Sequence, residues 1–191
     1  MKFTLVDKIK AKVRGSLDLD QLKQDGFKYG ENFDTQYGVI IDPGHCWLIE
    51  VGNNVTLAPR VHILAHDASM KKFLGYTKIA PVKIGNNVFI GAGSIILPGV
   101  TIGDNVIVGA GSVVTKDLAS GNVYGGVPVS KLQSLSDYLE KIENEKKSKT
   151  FFDETFVIGN ITNERRKKMK KYYMKKGKGI LFDTISHKLI L

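Results

Sequence analysis

A single cysteine, Cys46, in 191 residues leaves no intrachain disulfide to form, which excludes the small secreted folds that depend on such staples. Long apolar runs are missing too: nothing approaches the roughly 20 residues that cross a bilayer. The opening stretch MKFTLVDKIKAKVRG has no signal-peptide apolar core. A cytoplasmic protein is the expectation. Acidic residues are scarce only near the C-terminus. Residues 1–145 carry 15 Lys and Arg against 15 Asp and Glu, whereas residues 146–191 carry 13 against 4 and supply the whole net charge of +9. Basicity belongs to the tail and not to the body. No base-reading module accompanies it, so nucleic acid is not an expected partner. Contact with anionic lipid or a lipid-linked saccharide, peripheral to a membrane, is the functional alternative to a solvated tail.

What the chain does have is glycine, asparagine and branched aliphatic residues in a fixed rhythm. From Ile84 to Ala119 six hexapeptides run without a break: IGNNVF, IGAGSI, ILPGVT, IGDNVI, VGAGSV and VTKDLA. Ile84, Ile90, Ile96, Ile102, Val108 and Val114 open them, and Val88, Ser94, Val100, Val106, Ser112 and Leu118 hold the fifth place. Such a period marks a parallel β-helix, each short strand being one side of a coil. Alternation across a strand turns positions one and five inward and the sixth outward. Gly, Asn and Asp fall at the corners, where φ > 0 is needed.

The rhythm begins earlier and is interrupted twice. Tyr29-Gly30-Glu31-Asn32-Phe33 has the hexad form, so coiling is expected from about Phe27. Residues 51–63 form another coil, but their first positions reach Ile84 by an offset of 33, not a multiple of six. A loop over about 67–81 therefore leaves the helix, and solenoid insertions gather on a functional face. A smaller break lies near His45–Leu48. Leu5, Ile9 and Val13 predict a short N-terminal helix, and Leu17–Gln24 a second, ended by Gly26. Beyond the repeats, residues 130–147 predict a helix (Leu132, Leu135, Leu139 and Ile142 on one face), and residues 163–177 a basic one. The expected organisation is an N-terminal helical segment over 1–26, a β-helix over 27–128, and a C-terminal helix with basic tail over 129–191.

The strings VTLAPRVHILAHDAS, VKIGNNVFIGAGSIILPGVTIGDNVIVGAGSVVTKD and GGVPVSK give residues 27–133 a specific resemblance to the hexapeptide-repeat O-acetyltransferases. That group contains galactoside, maltose and capsule or lipopolysaccharide O-acetyltransferases. The resemblance implies an all-β solenoid, a left-handed parallel β-helix, with short N-terminal helices and a C-terminal helical extension. It also implies a homotrimer with active sites between subunits, and acetyl-CoA as co-substrate with no metal. The expected reaction moves an acetyl group to a hydroxyl of a sugar or glycan, such as a surface-polysaccharide precursor.

His66, in the AHD string, matches the family's histidine. An alcohol attacks a thioester poorly at pH 7 unless a base removes its proton, and an imidazole is suited to that role. For the cofactor the resemblance carries over to Ala92, Ala110, Thr115 and Lys116. The two alanines are outward corner residues one coil apart. Arginines that the family places at Ser130 and Gln133 are absent, and Lys131 is the substitute. His62, outward in the same coil as His66, is its rival as base; with Asp42 and His45 it is also a candidate for binding the acceptor. His45, Cys46 and Trp47 otherwise read as packing or trimer contact. Asp67 is a weak candidate to orient His66, since neighbours on a strand point apart, and His187 has no expected role. Three further readings stand beside the main one: N-acetylation of an amino-sugar nucleotide, a zinc carbonic-anhydrase-like β-helix, and a non-catalytic trimeric scaffold. The zinc site needs three converging histidines.

Overall fold

The inward positions of the hexads are all buried, and this is what builds the body of the protein. Ile90, Ile96, Val106, Val108 and Val114 are fully enclosed, as are the small Ser94 and Ser112, and Ile84, Val88, Val100, Ile102 and Leu118 nearly so. Each such aliphatic side chain removed from water contributes about 1.5–3 kcal/mol. The computed structural model describes residues 17–148, 151–156, 161–176 and 180–181. The helix expected around Leu5, Ile9 and Val13, and His187, lie outside the described residues.

Helix α1 (Leu19–Gln24) opens the described chain, capped by the side chain of Asp18 and followed by Gly26 at φ +95°. The strands come next: β1 (Lys28–Tyr29), β2 (Asp34–Thr35), β3 (Ile40–Ile41), β4 (Ile49–Val51), β5 (Thr56–Leu57), β6 (His62–Ile63), β7 (His66–Asp67), β8 (Lys78–Ile79), β9 (Val82–Ile84), β10 (Val88–Ile90), β11 (Ile95–Ile96), β12 (Thr101–Ile102), β13 (Val106–Val108), β14 (Val113–Val114), β15 (Asn122–Gly125) and β16 (Ser130–Ser134). Helix α2 (Lys71–Leu74) lies between β7 and β8. Apart from the β7–β8 hairpin, the strands fall into three sheets in rotation. The first runs β1-β4-β9-β12, the second β2-β5-β10-β13-β15-β16, and the third β3-β6-β11-β14. Every pairing is parallel except β15 with β16. This is a three-sided β-helix.

The pairing offsets locate both interruptions. Regular coils stack at 18 residues, as in Val88 against Val106. The first coil stacks on the second at 22, as in Ile41 against Ile63, because a 3₁₀ turn at Cys46–Leu48 is inserted after β3. The second stacks on the third at 33, as in Val51 against Ile84, because the β7–α2–β8 excursion is inserted after β6. The last hexad departs from the count. Leu118 stands over Ile102 and not over Val100, so the sixfold register ends at Val114. A corner two residues shorter at Thr115–Asp117, whose Asp117 accepts from Thr101 N–H at 2.7 Å, produces the change.

One corner is built by stacked asparagines. Asn32, Asn54, Asn87 and Asn105 have φ between +53° and +56°, and each passes a side-chain hydrogen bond to the next. Asparagine tolerates this backbone because its short amide bonds locally. At the lower end Leu17, Leu19 and Leu22 pack on the core with the ring cluster Phe27, Tyr29 and Phe33. At the upper end the structure corrects the expected helix. Residues 130–134 are an antiparallel strand on β15, and the helix α3 spans Leu135–Ser148. The open edge of β15 explains this, since its unpaired N–H and C=O groups take a strand partner more favourably than water. Leu132, placed by the pattern on a helical apolar face, is exposed and lies against Gly125.

The chain divides into two compact units, residues 1–137 and 138–191. In the second, Phe152 gathers Phe156, Tyr172 and Tyr173 around itself, with β17 (Phe151–Phe152) paired to β18 (Ile180–Leu181). The expected basic helix is present as α4 (Asn163–Lys176). No helix among the described residues is long and apolar enough to cross a membrane.

Candidate active site

The third sheet ends each of its turns at one corner of the prism, and the chemistry gathers there. Ile41 and Ile63 are stacked partners, so the residues that follow them leave the sheet together. Asp42 turns inward and is completely buried, while His66 begins the excursion and keeps about a third of its side chain exposed. His66 Nδ1 lies 2.5 Å from Asp42 Oδ2. The same oxygen accepts from Ala65 N–H at 2.9 Å, and Oδ1 accepts from Gly44 N–H at 3.1 Å. Burial alone pushes the Asp42 carboxyl upward. The hydrogen bonds from Ala65, His66 and Gly44, with the charge of His66, outweigh it and hold the group below the usual carboxylate range. An ionised carboxylate only accepts, so His66 Nδ1 is the donor of the pair, and in the neutral imidazole Nε2 is the accepting nitrogen. A histidine so paired has the chemistry to take a proton through Nε2.

Asp42 was expected to line an acceptor pocket. It has no exposed surface, and both oxygens are engaged, by His66 and by the N–H groups of Ala65 and Gly44. The 22-residue coil offset, already carried by the corners Glu31-Asn32-Phe33 and Asn53-Asn54-Val55, sets Asp42 beside Leu64, two residues short of His66. Asp67 does not orient His66: its carboxylate accepts from Ser69 N–H at 2.9 Å and caps the excursion.

His45 and Trp47 lie on the same corner, one coil below His66. The His45 ring centroid is 4.9 Å from that of His66 and 5.3 Å from that of Trp47. His45 Nδ1 is buried, makes no hydrogen bond, and stands 3.7 Å from Asp42 Oδ1. Cys46 points inward and is fully buried, as the packing reading required. Ligand atoms of Asp42, His45 and His66 fall within 4.8 Å of one another. As a metal set this trio is poorly prepared, because Asp42 Oδ2 is already taken by an imidazole N–H and a backbone N–H. His62 is elsewhere, outward on β6 between Ile40 and Ile95, so three histidines do not converge among the described residues.

The residues expected to meet the cofactor lie on upper coils. Thr115 and Lys116 follow β14 at the same corner as His66, through the ladder Ile63–Ile96–Val114, and both are exposed. Ala92 and Ala110 are exposed at the other edge of the third sheet and stack directly, with Gly111 N–H bonded to Ala92 O at 2.8 Å. A Cβ at Gly91 would meet Ala110 N at 2.4 Å, so only glycine permits this close stacking, while Gly93 and Gly111 face open space. The result is a smooth, narrow ridge on which an extended chain can lie. Lys131 is exposed on β16, paired with Tyr124.

Residues 81–116 match the family described as bacterial transferase hexapeptide (six repeats). The structure is similar to a maltose O-acetyltransferase from Clostridium difficile 630, at 35% identity and a TM-score of 0.53, over 67% of this chain and 83% of that one. The chain belongs to the hexapeptide-repeat acetyltransferase family. A galactoside acetyltransferase solved in complex with coenzyme A matches at 28% identity and a TM-score of 0.51, over 69% of this chain and 82% of that one. Protein CapG of Staphylococcus aureus is 50% identical over 100 residues, which are 50% of this chain and 58% of CapG. The chain thus spans little more than half the length of the curated relatives it matches.

Proposed function

We propose that this family member is an acetyl-CoA-dependent O-acetyltransferase whose acceptor is a hydroxyl of a sugar or glycan, with His66 as the general base. The observation that carries the proposal is the buried Asp42 beneath His66, on the same corner as Thr115 and Lys116. Acetyl-CoA supplies the activated acetyl thioester; Ala92 and Ala110 give its chain a flat ridge, and Lys116 and Lys131 supply positive charge for its phosphates. Asp42 holds the His66 proton on Nδ1. His66 Nε2 then takes the proton of the acceptor hydroxyl as that oxygen bonds to the acetyl carbon. The carbon–sulfur bond breaks, and His66 returns the proton to the departing thiolate. The net change is alcohol plus thioester to ester plus thiol. No group on the enzyme needs to carry the acetyl.

In keeping with the family, we read the β-helix as left-handed and the active protein as a homotrimer with sites between subunits. The excursion after His66 supports that assembly: Phe73, Leu74, Tyr76 and Ile79 are all exposed on it, an apolar surface suited to a neighbouring copy. The reading is tested by screening hydroxyl and amine acceptors for release of free CoA thiol. Saccharide-dependent release, with an ester in the product, supports it. Release only with amino-sugar nucleotides transfers the assignment to N-acetylation.

A further inference from the structure

We infer that His45 and Trp47 form an acceptor subsite, in which Trp47 is the stacking platform for a pyranose ring whose hydroxyl reaches His66. This rests on the reading of His66 as base and adds the residues that select the substrate.

The first coil is four residues longer than a regular one, and those residues place a tryptophan on the surface beside the base. In the 3₁₀ turn Cys46–Leu48, Cys46 is driven inward, and its Sγ lies 3.4 Å from Asp25 O. Its neighbours His45 and Trp47 are thereby turned outward. Trp47 remains 53% exposed, a large apolar surface left in water. Its base is nevertheless fixed, because Gly26 at φ +95° packs beneath it and a Cβ there would stand 2.8 Å from Trp47 Cβ. A ring held at its root and open on its face is pre-organised for a ligand.

Position along the corner defines what that ligand is. Thr115 and Lys116 lie on coils above His66, and Trp47 lies below it. The cofactor therefore approaches from one side and the acceptor is left the other. His45 bridges the span, its ring tilted against those of both Trp47 and His66, so a mono- or disaccharide on Trp47 is within reach of the base. The negative π-face of an indole attracts the C–H-rich face of a pyranose, while the exposed part of the His45 ring is available to its hydroxyls. His45 Nδ1 is drawn toward Asp42, which ties the subsite to the catalytic pair. An acyclic polyol has the hydroxyls but no ring face, and is a poor ligand on this account.

Trp47 is the sole tryptophan of the chain, so its fluorescence reports this subsite directly. The wild-type protein is titrated with methyl β-D-glucopyranoside, methyl β-D-galactopyranoside and, as control, sorbitol. A saturable change with at least one pyranoside and none with sorbitol is expected. W47A should raise KM for the saccharide at least tenfold with KM for acetyl-CoA and the oligomeric mass unchanged, and W47F should recover most of the loss. A fluorescence signal indifferent to both pyranosides overturns the subsite, as does unimpaired W47A. A change of oligomeric mass in W47A also overturns it, by making Trp47 a subunit contact. If W47A does not fold, W47F and the wild-type titration decide. Failure of the His66 reading looks different: H66A would keep full turnover while the Trp47 signal still responded.

Discussion

Asp42 Oδ2 and His66 Nδ1 are 2.5 Å apart although the residues are 24 positions apart in sequence. The carboxylate is buried beneath the imidazole and takes its Nδ1 as a hydrogen-bond partner. D42N keeps the volume but removes the charge that selects the tautomer. It should lower kcat by a factor on the order of 10²–10⁴, the usual worth of a positioned base. KM for acetyl-CoA should stay near the wild-type value. Steady-state kinetics of thiol release check both numbers.

The same pair shapes acid stability. The Asp42 carboxyl is held below its ordinary value in the folded protein, so folding favours its ionised form. Its contribution is fully present above the unfolded-state pKa of about 3.9. It is lost as the pH falls through the lower folded value. Denaturant unfolding followed from pH 7 downward should show wild-type stability falling in that acid window, and D42N falling less steeply there.

The ridge proposed for the cofactor makes a separate prediction. Ala110 is exposed at its corner, so A110W should leave the thermal midpoint unchanged while obstructing the ridge. At least a tenfold rise in KM for acetyl-CoA is expected, with little effect on KM for the acceptor. K116A should weaken acetyl-CoA binding in a salt-dependent way, because an exposed charge acts through a screened field. Isothermal titration at two ionic strengths measures this.

The asparagine stack is a stability element distant from the chemistry. Asn87 has φ +54°, receives the Asn54 amide at 3.1 Å and donates to Asn105 at 2.9 Å. N87A loses both bonds in a backbone conformation alanine adopts poorly, and should cost about 1–3 kcal/mol. N87G keeps the backbone freedom and should cost less. Urea denaturation of the two variants distinguishes them.

The regular coils were legible because each hexad repeats one physical problem: an inward aliphatic, a corner, an inward small or aliphatic residue. Ile84 to Val114 therefore read correctly. The failures came where the repeat meets something outside itself. The Thr115–Asp117 corner is shorter than the count allows, and Ser130–Ser134 pairs with the last open strand instead of continuing the helical pattern. The site was half visible. His66 stood out at the edge of an interruption, but its partner did not. Asp42 reaches it because a 22-residue stacking offset sets Asp42 beside Leu64, two residues before His66, a property of two coils that no local pattern around His66 carries. Trp47 reads as packing or trimer contact in the sequence, and its exposure on the single chain follows from the turn that buries Cys46.

The central claim is that His66 removes the acceptor's proton, and the direct measurement is saccharide-dependent CoA release by H66A beside the wild type, with acetyl-CoA binding measured on both. H66A is expected to bind acetyl-CoA and assemble as the wild type does, yet to lose at least about 99% of its transfer rate, in line with removal of a positioned base. Transfer by H66A at the wild-type rate would contradict it.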